Sequence, residues 1–508
     1  MKTKVTSRRI PFVPTPNPFV KAMQVQSNFG LTENGAVTNK STLSSVLDFF
    51  GAAGAVRTRS ESDVISLFSK AFAEDRLLAT RILFYIRDVR EGQGERKTCR
   101  TIINWLAKNY PDVVRKNLEN IAFYGRYDDL YSLVGTPLEK ETFDLIGNQL
   151  KEDLRNMKKG ESVSLLAKWL KSENTSSEES RKLGRKTREA LELSPKKYRK
   201  ILSALRKHIE VLETKMCAGE WDSINFERVP SKASMNYRKA FGRHDQDRYA
   251  AYLKSVEKGE AKMNAGSVFP YEILRSVIGN GCRSGVSAQE ALQADLQWKS
   301  MPNWLEGNEH YGLVIADVSG SMTSPEMLPI LVSVSLALYF AERNTGPFKD
   351  FWLNFSSSPT FQKFQGNTLL EKYNNMDKSN WSQSTNLQAA FDLILNTSVK
   401  NKVAQKDMPS VLYIVSDMEF NATSAGNTNY DSIKEKYKKA GYKLPRLVWW
   451  NVNSRNDNFP IRSDENGTAL VSGCSPSILK SLLSAKSFDP LSIVYETVNS
   501  PRYERVTV

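Results

Sequence analysis

The spacing of apolar residues changes rhythm once along this chain, near residue 305. Before that point it is helical. Val64, Leu67, Phe68, Ala71 and Phe72 fall at steps of three and four, and Leu78, Ile82, Leu83 and Ile86 repeat the pattern. Leu202, Leu205, Ile209, Leu212 and Met216 form one further stripe. Short punctuation such as "REGQGER" and "NYPD" separates these segments, so helix is expected to follow helix. Beyond residue 305, "YGLVIA", "DFWLNFS", "VLYIVS" and "RLVWWNV" are short runs rich in β-branched and aromatic residues, most of them followed by a helical stretch. That alternation predicts a parallel sheet with helices on both faces. The longest apolar run, Leu328 to Ala341, is shorter than the roughly 20 residues that cross a bilayer and reads as a buried helix.

These patterns divide the 508 residues into an N-terminal arm (1–40), an α-helical repeat domain of HEAT-like type (41–304), an α/β doubly wound, Rossmann-like domain (305–490) and a C-terminal tail (491–508). The arm carries prolines at 11, 14, 16 and 18 and little periodicity. It lacks the apolar stretch of a secretory signal, so an intracellular, cytoplasmic protein with no membrane partner is expected. Four cysteines (Cys99, Cys217, Cys282, Cys474) lie far apart without CxxC pairing, and the three histidines are His208, His244 and His310. A zinc site and a disulfide scaffold are both disfavoured.

Net charge changes the picture most. The chain carries +15, while residues 305–508 sum to zero, so the whole excess belongs to the helical half. A basic half attracts polyanions, of which nucleic acid is the commonest. The charge concentrates in "RKLGRKTREALELSPKKYRKILSALRK", residues 181–207, with eleven Lys or Arg against two Glu. Ser194 and Pro195 start a helix there as N-cap and first residue. Arg181, Lys182, Arg185, Lys186, Arg188, Lys196, Lys197, Arg199, Lys200, Arg206 and Lys207 are the candidate phosphate contacts. Arg238, Lys239 and Arg243 extend the set, interleaved with Tyr237, Phe241 and Tyr249, aromatics that either stack on unpaired bases or belong to a helical core. "RDVREGQGERK", Arg87 to Lys97, is open between a phosphate-contacting loop and a structural turn; it does not match a Walker pattern.

Candidate chemistry lies at the strand ends. In "VIADVSGSMTS" three apolar residues run into Asp317, Ser319 and Ser321, which alternate and can face one point while Gly320 permits the bend. Thr385 precedes a helical stretch, and Asp417 follows the most strand-like run in the chain. Ligands of such folds bind at the carboxyl ends of strands. Two carboxylates and three hydroxyls suit Mg²⁺, or another divalent cation such as Mn²⁺ or Ca²⁺, with positions left for water or a partner's carboxylate. The rival reading is that Asp317 and the serines cap a helix beginning near Thr323. No histidine, lysine or cysteine accompanies the motif as base or nucleophile, so no catalytic residue is assigned.

"DVSGSM", a later threonine and a strand-terminal aspartate resemble the metal-ion-dependent adhesion site of von Willebrand factor A domains. In that resemblance Asp317, Ser319 and Ser321 form the first loop, Thr385 the second and Asp417 the third; the second loop, "SQSTNL", lacks the glycine that often precedes the threonine. A helical-repeat half followed by such a domain is similar to the TROVE architecture of the Ro ribonucleoprotein family. It is more similar still to a sister family of uncharacterised proteins, through "LFYIRDVREGQGER", "YGRYDDLYSLV", "YRKILSALRKHIEVLE" and "VPSKASMNYRKAF". The resemblance implies a non-enzymatic protein that binds structured or small noncoding RNA through its helical half. The alternative, from a different class, is an adhesion or assembly protein whose metal site recruits an acidic protein partner without RNA. Oligomeric state is not legible.

Overall fold

The structure is a computed structural model describing residues 17–279, 286–306, 311–355, 358–377, 385–423, 427–485 and 487–508. Cys282, His310, the prolines at 11, 14 and 16 and residues 382–384 of the second loop lie outside the described residues. Helices dominate to residue 299, and a six-stranded sheet follows. Two short strands come first, β1 (Phe29–Leu31) and β2 (Val37–Asn39), paired antiparallel as a hairpin. The sheet comprises β3 (Gly312–Ala316), β4 (Phe351–Asn354), β5 (Phe361–Lys363), β6 (Val411–Ser416), β7 (Arg446–Asn451) and β8 (Thr468–Ser472). Its order is β5-β4-β3-β6-β7-β8, with β5 antiparallel to β4 and the other neighbours parallel. The chain is thus a helical domain followed by an α/β domain. No helix among the described residues is long and apolar enough to cross a membrane.

The four apolar runs became β3, β4, β6 and β7. Their inner strands are buried along their whole length, as expected of a parallel sheet covered by helices. The Leu328–Arg343 helix, buried from Pro329 to Ala341, packs on β3 and β6 and against the Pro270–Ile278 helix of the other half. The stripe from Leu202 to Met216 is not one helix. It breaks after the Pro195–His208 helix, where Glu210 takes a positive φ of 49°, and resumes in Leu212–Ala218.

The two halves share one hydrophobic core, from Ala36 to Val506, and the chain ends are exchanged between them. The Ser45–Ala53 helix, capped by the Ser44 hydroxyl accepting from Leu47 N, lies directly on β8. A side chain at Gly51 would strike Leu470, with a Cβ to Cδ2 distance of 2.4 Å, so the glycine is what permits the approach. The Ser472 hydroxyl at the end of β8 donates to Phe50 O and accepts from Gly54 N. In the other direction the Pro490–Val498 helix and Tyr503 pack on the Arg76–Arg87 helix. Residues 1–40, read as an arm, contain the Pro18–Ser27 helix and the β1–β2 hairpin, which docks on the α/β domain. A second, smaller core gathers Phe226, Phe241, Tyr249, Leu253 and Leu296, with Tyr237 packed against it. Phe241 and Tyr249 are therefore interior, and half-buried Tyr237 packs against them.

"RDVREGQGERK" is the joint between the halves. Buried Arg87 pairs with buried Asp129 at 2.6 Å, Glu95 pairs with Arg57 at 2.7 Å, and Gln93 Oε1 accepts from Ser475 N at 3.2 Å. Gly473, at φ 108°, leaves room for Gln93 where a Cβ would lie 2.2 Å from Oε1. In "YGRYDD", Asp129 accepts from Arg126 N and caps the Tyr127–Leu133 turn, a structural role.

Asp48 yields a pH prediction. It is buried and accepts from the Ser41 hydroxyl (2.6 Å) and Thr42 N (2.7 Å), and burial outweighs those bonds, pushing its carboxyl up to about 6. A carboxyl raised on folding favours the fold while protonated, so its contribution is present below about pH 4 and is lost as pH rises through about 6. The span corresponds to about 3 kcal/mol. Asp48→Asn is expected to flatten the fall in stability between pH 4 and 6 by up to that amount, read from urea denaturation across the interval. Equal slopes in the two proteins would refute it.

Candidate metal centre

β3 leads to β4 on one side, and the chain then returns to β6 on the other side of β3, so the crevice between β3 and β6 is the point where the winding reverses. Asp317 is the first residue after β3 and Asp417 the first after β6. Because these strands are adjacent and parallel, with Ala316 opposite Val415, the two aspartates leave the sheet side by side. Asp317, Ser319, Thr385 and Asp417 are all buried.

Each carboxylate is held by a distinct set of partners. Asp317 Oδ1 accepts from Ser319 N at 2.9 Å, and Oδ2 from the Ser416 hydroxyl at 2.6 Å. Asp417 Oδ1 accepts from Glu419 N at 3.2 Å, Oδ2 from Arg455 Nη2 at 2.8 Å, and the Ser321 hydroxyl bonds to the same carboxylate. The Ser319 and Ser321 hydroxyls lie 3.1 Å apart. Thr385 comes from a third loop, immediately before the Leu387–Lys400 helix, and its carbonyl accepts from Asn421 N at 3.1 Å, which ties that loop to the one carrying Asp417. The structure therefore brings together Asp317, Ser319, Ser321 and Asp417, and sets Thr385 on the adjoining loop. Ser319 makes no side-chain capping bond, and Gly320–Thr323 is a single 3₁₀ turn rather than the start of a long helix.

Burial raises the pKa of Asp317 against the pull of its Ser319 and Ser416 bonds. Burial, and then the neighbouring Asp317 carboxylate, raise that of Asp417 against the pull of Arg455. Two buried carboxylates facing one guanidinium leave negative charge that further positive charge would relieve. Among the described residues no group of three or more His, Cys, Asp or Glu is assembled, and the side-chain oxygens beside the two aspartates include the Ser319 and Ser321 hydroxyls. The donor chemistry of Asp317 and Asp417 as carboxylates and Ser319 and Ser321 as hydroxyls fits a small, hard divalent ion, with Thr385 on the adjoining loop.

Sequence reasoning missed Ser416, Arg455 and a ring of groups behind them. Arg455 Nη1 also pairs with Glu33 Oε2 at 2.8 Å. Glu33 N donates to buried Glu419, which accepts from Asn456 and Asn458 as well. The hairpin thereby closes over one side of the centre. Ser416 could have been found as the last residue of the run that ends in Asp417. Nothing local marks Arg455.

The basic candidates separate into two groups. Arg185, Lys196, Lys197, Arg199, Lys200, Lys207 and Arg243 are exposed and form no ion pair among the described residues. Lys196, Arg199, Lys200 and Lys207 share the outer face of the Pro195–His208 helix, opposite buried Tyr198, Leu202 and Leu205. Arg181, Lys182 and Lys186 are engaged at the surface with the Thr175 and Ser176 carbonyls, Glu178 and Glu139. Lys239 lies 3.5 Å from Glu290. Arg188 pairs with Glu173, Arg206 donates to the carbonyls of Ala167 and Leu170, and Arg238 to those of Met235 and Ser276. These last three fasten the fold.

A family profile described as "Domain of unknown function (DUF7788)" matches residues 312–504, the α/β domain. An uncharacterized protein of Acanthamoeba polyphaga mimivirus is 28% identical over 92% of this chain and 87% of its own length. The crystal structure of the Deinococcus radiodurans RO (RSR) protein aligns with 90% of this chain and 100% of that one at 12% identity and a TM-score of 0.47. A second profile matches residues 32–141 and 163–308, which is just over half of the chain. The chain therefore belongs to the family described as "Domain of unknown function (DUF2828)".

Proposed function

We propose that this is a non-enzymatic RNA-binding protein of Ro-like type. In this reading the outer face of the Pro195–His208 helix grips the phosphates of structured RNA, and the strand-end cluster holds a Mg²⁺-type cation. The observation that carries the reading is a helix whose inner face is core and whose outer face presents Lys196, Arg199, Lys200 and Lys207, unpaired among the described residues. Charges meant only to fasten the fold find partners, as Arg188 and Arg206 do. A row left without them supports binding to a polyanion whose sequence it does not read. At the cation, an open position would accept a carboxylate of a protein partner or of the chain itself. The cluster of Asp317 and Asp417 keeps the second reading alive, an assembly protein recruiting an acidic partner through the metal.

Titration of a structured RNA against salt tests this. Replacing Lys196, Arg199, Lys200 and Lys207 together by alanine is expected to lower the salt slope by about three and to weaken binding at low salt by at least about tenfold, since each phosphate contact releases close to one counterion. No binding of the unaltered protein at low salt, or an unchanged slope in the variant, removes the reading.

A further inference from the structure

The Ser231–His244, Gln246–Glu257 and Ala288–Lys299 helices line an open-sided pocket of about 280 Å³. Its floor holds two buried polar atoms with no hydrogen-bond partner among the described residues, the Tyr249 hydroxyl and Arg238 Nε. Tyr249 is 1% exposed. Buried polar atoms in native folds are nearly always satisfied, so the Tyr249 hydroxyl calls for a missing partner, and Arg238 Nε, with only a long 3.5 Å contact to Glu290, for a better one. The Arg238 guanidinium cannot swing away, because its two Nη groups donate to Met235 O and Ser276 O at 2.6 and 2.7 Å. Lys239 and Arg243 line it as well, and the capped N-terminus of the 12-residue Ala288–Lys299 helix, with Ser287, Gln289 and Glu290, borders it.

Glu290 sits among these cations. Its Oε2 accepts from Ser287 N (3.2 Å) and the Ser287 hydroxyl (3.0 Å), while Oε1 lies 3.5 Å from both Arg238 Nε and Lys239 Nζ. Burial opposes its ionisation, but the Ser287 bonds, Lys239 and Arg238 together hold the carboxyl below its ordinary range. The carboxylate therefore occupies, loosely, the place an anion would take.

We propose that this pocket binds the phosphate group of a phosphate monoester, with the Tyr249 hydroxyl and Arg238 Nε donating from the floor, Lys239 and Arg243 closing over it, and Glu290 as the stand-in it displaces. The site is separate from the Pro195–His208 face and does not depend on it. The volume takes a phosphate together with the group it esterifies but not the interior of a folded RNA, so the ester is the end of a chain or a small nucleotide.

The test uses the full chain and calorimetry with inorganic phosphate at low salt, then with AMP and with a short single-stranded RNA carrying or lacking a 5′-phosphate. Saturable phosphate binding is expected. Tyr249→Phe should weaken it at least about tenfold while leaving the ligand-free Tm unchanged or higher, because the lost hydroxyl had no partner. Glu290→Gln should strengthen it several-fold, since glutamine at that position still serves the capping box. Phosphate affinity equal in the unaltered protein, Tyr249→Phe and Glu290→Gln, or no saturation at all, overturns the proposal. AMP binding as tightly as the phosphorylated RNA identifies a free nucleotide as the source; tighter binding of the RNA, lost without its 5′-phosphate, identifies a chain end. The fourfold alanine variant of the Pro195–His208 face should keep full phosphate affinity, so failure of the RNA reading and failure of this one give different results.

Discussion

Asp88→Ala is expected to destabilise the protein by about 3–5 kcal/mol and to release its C-terminal segment. Asp88 is completely buried at the joint between the halves. It accepts from Arg502 Nε, from Arg502 Nη2 at 2.7 Å, from the Tyr503 hydroxyl at 3.0 Å and from Arg90 N at 3.0 Å. Alanine leaves the Tyr503 phenol and the Arg90 N–H without that acceptor and leaves the Arg502 guanidinium only its longer, 3.5 Å contact with Glu91. Removing one partner of a buried ion pair costs far more than the pair contributes, because the remaining charge stays desolvated. Urea denaturation reads the loss. Hydrogen exchange over 490–508 reads its location, since the Pro490–Val498 helix and the Tyr503 ring lose their anchor on the Arg76–Arg87 helix. Uniform exchange, with 490–508 as protected as before, would mean that this aspartate is not what holds the tail.

Asp317→Ala is expected to remove most of the divalent-dependent stabilisation. In the proposed centre Asp317 is one of two carboxylates on the cation, and losing one of two charged ligands should lower affinity by about a hundredfold or more. A ligand at a hundred times its Kd stabilises by about 2.7 kcal/mol, so the unaltered protein should gain Tm with Mg²⁺ or Mn²⁺ and the variant should gain little. Without metal the variant loses the acceptor for Ser319 N and the Ser416 hydroxyl but also sheds a buried charge. These effects oppose each other, so its metal-free stability should stay within about 2 kcal/mol of the parent. Arg455→Gln should act in the opposite direction and tighten cation binding, because it withdraws the guanidinium that already neutralises Asp417. A metal-dependent shift of the same size in Asp317→Ala would place the ion elsewhere.

Much of the centre was legible because its elements are local. A run of buried β-branched residues ending in a carboxylate puts that carboxylate at a strand end whatever the rest of the chain does, and both β3 with Asp317 and β6 with Asp417 follow that rule. The Ser194–Pro195 start was equally local, and the Ser194 hydroxyl accepts from Lys197 N. Arg455 reaches Asp417 across 38 residues and Glu33 from the opposite end of the chain, and no local pattern encodes either pairing. Arg206 and Lys207 show the same limit on neighbouring residues: one guanidinium turns in to cap carbonyls near 170 while the next amine stays in solvent. Their helical phase hints at the difference, but only the packed neighbour decides it.

Local pattern was enough for the helical half, the four main strands, the strand-end aspartates and the confinement of the net positive charge to residues before 305, since periodicity, caps and charge are properties of short segments. Long-range packing set the first helices on the last strand and the last helix on the early helices, and it fixed which arginines remain available. Those outcomes depend on which apolar faces find each other across hundreds of residues, and that choice is made by the burial of the whole chain rather than by any stretch of it.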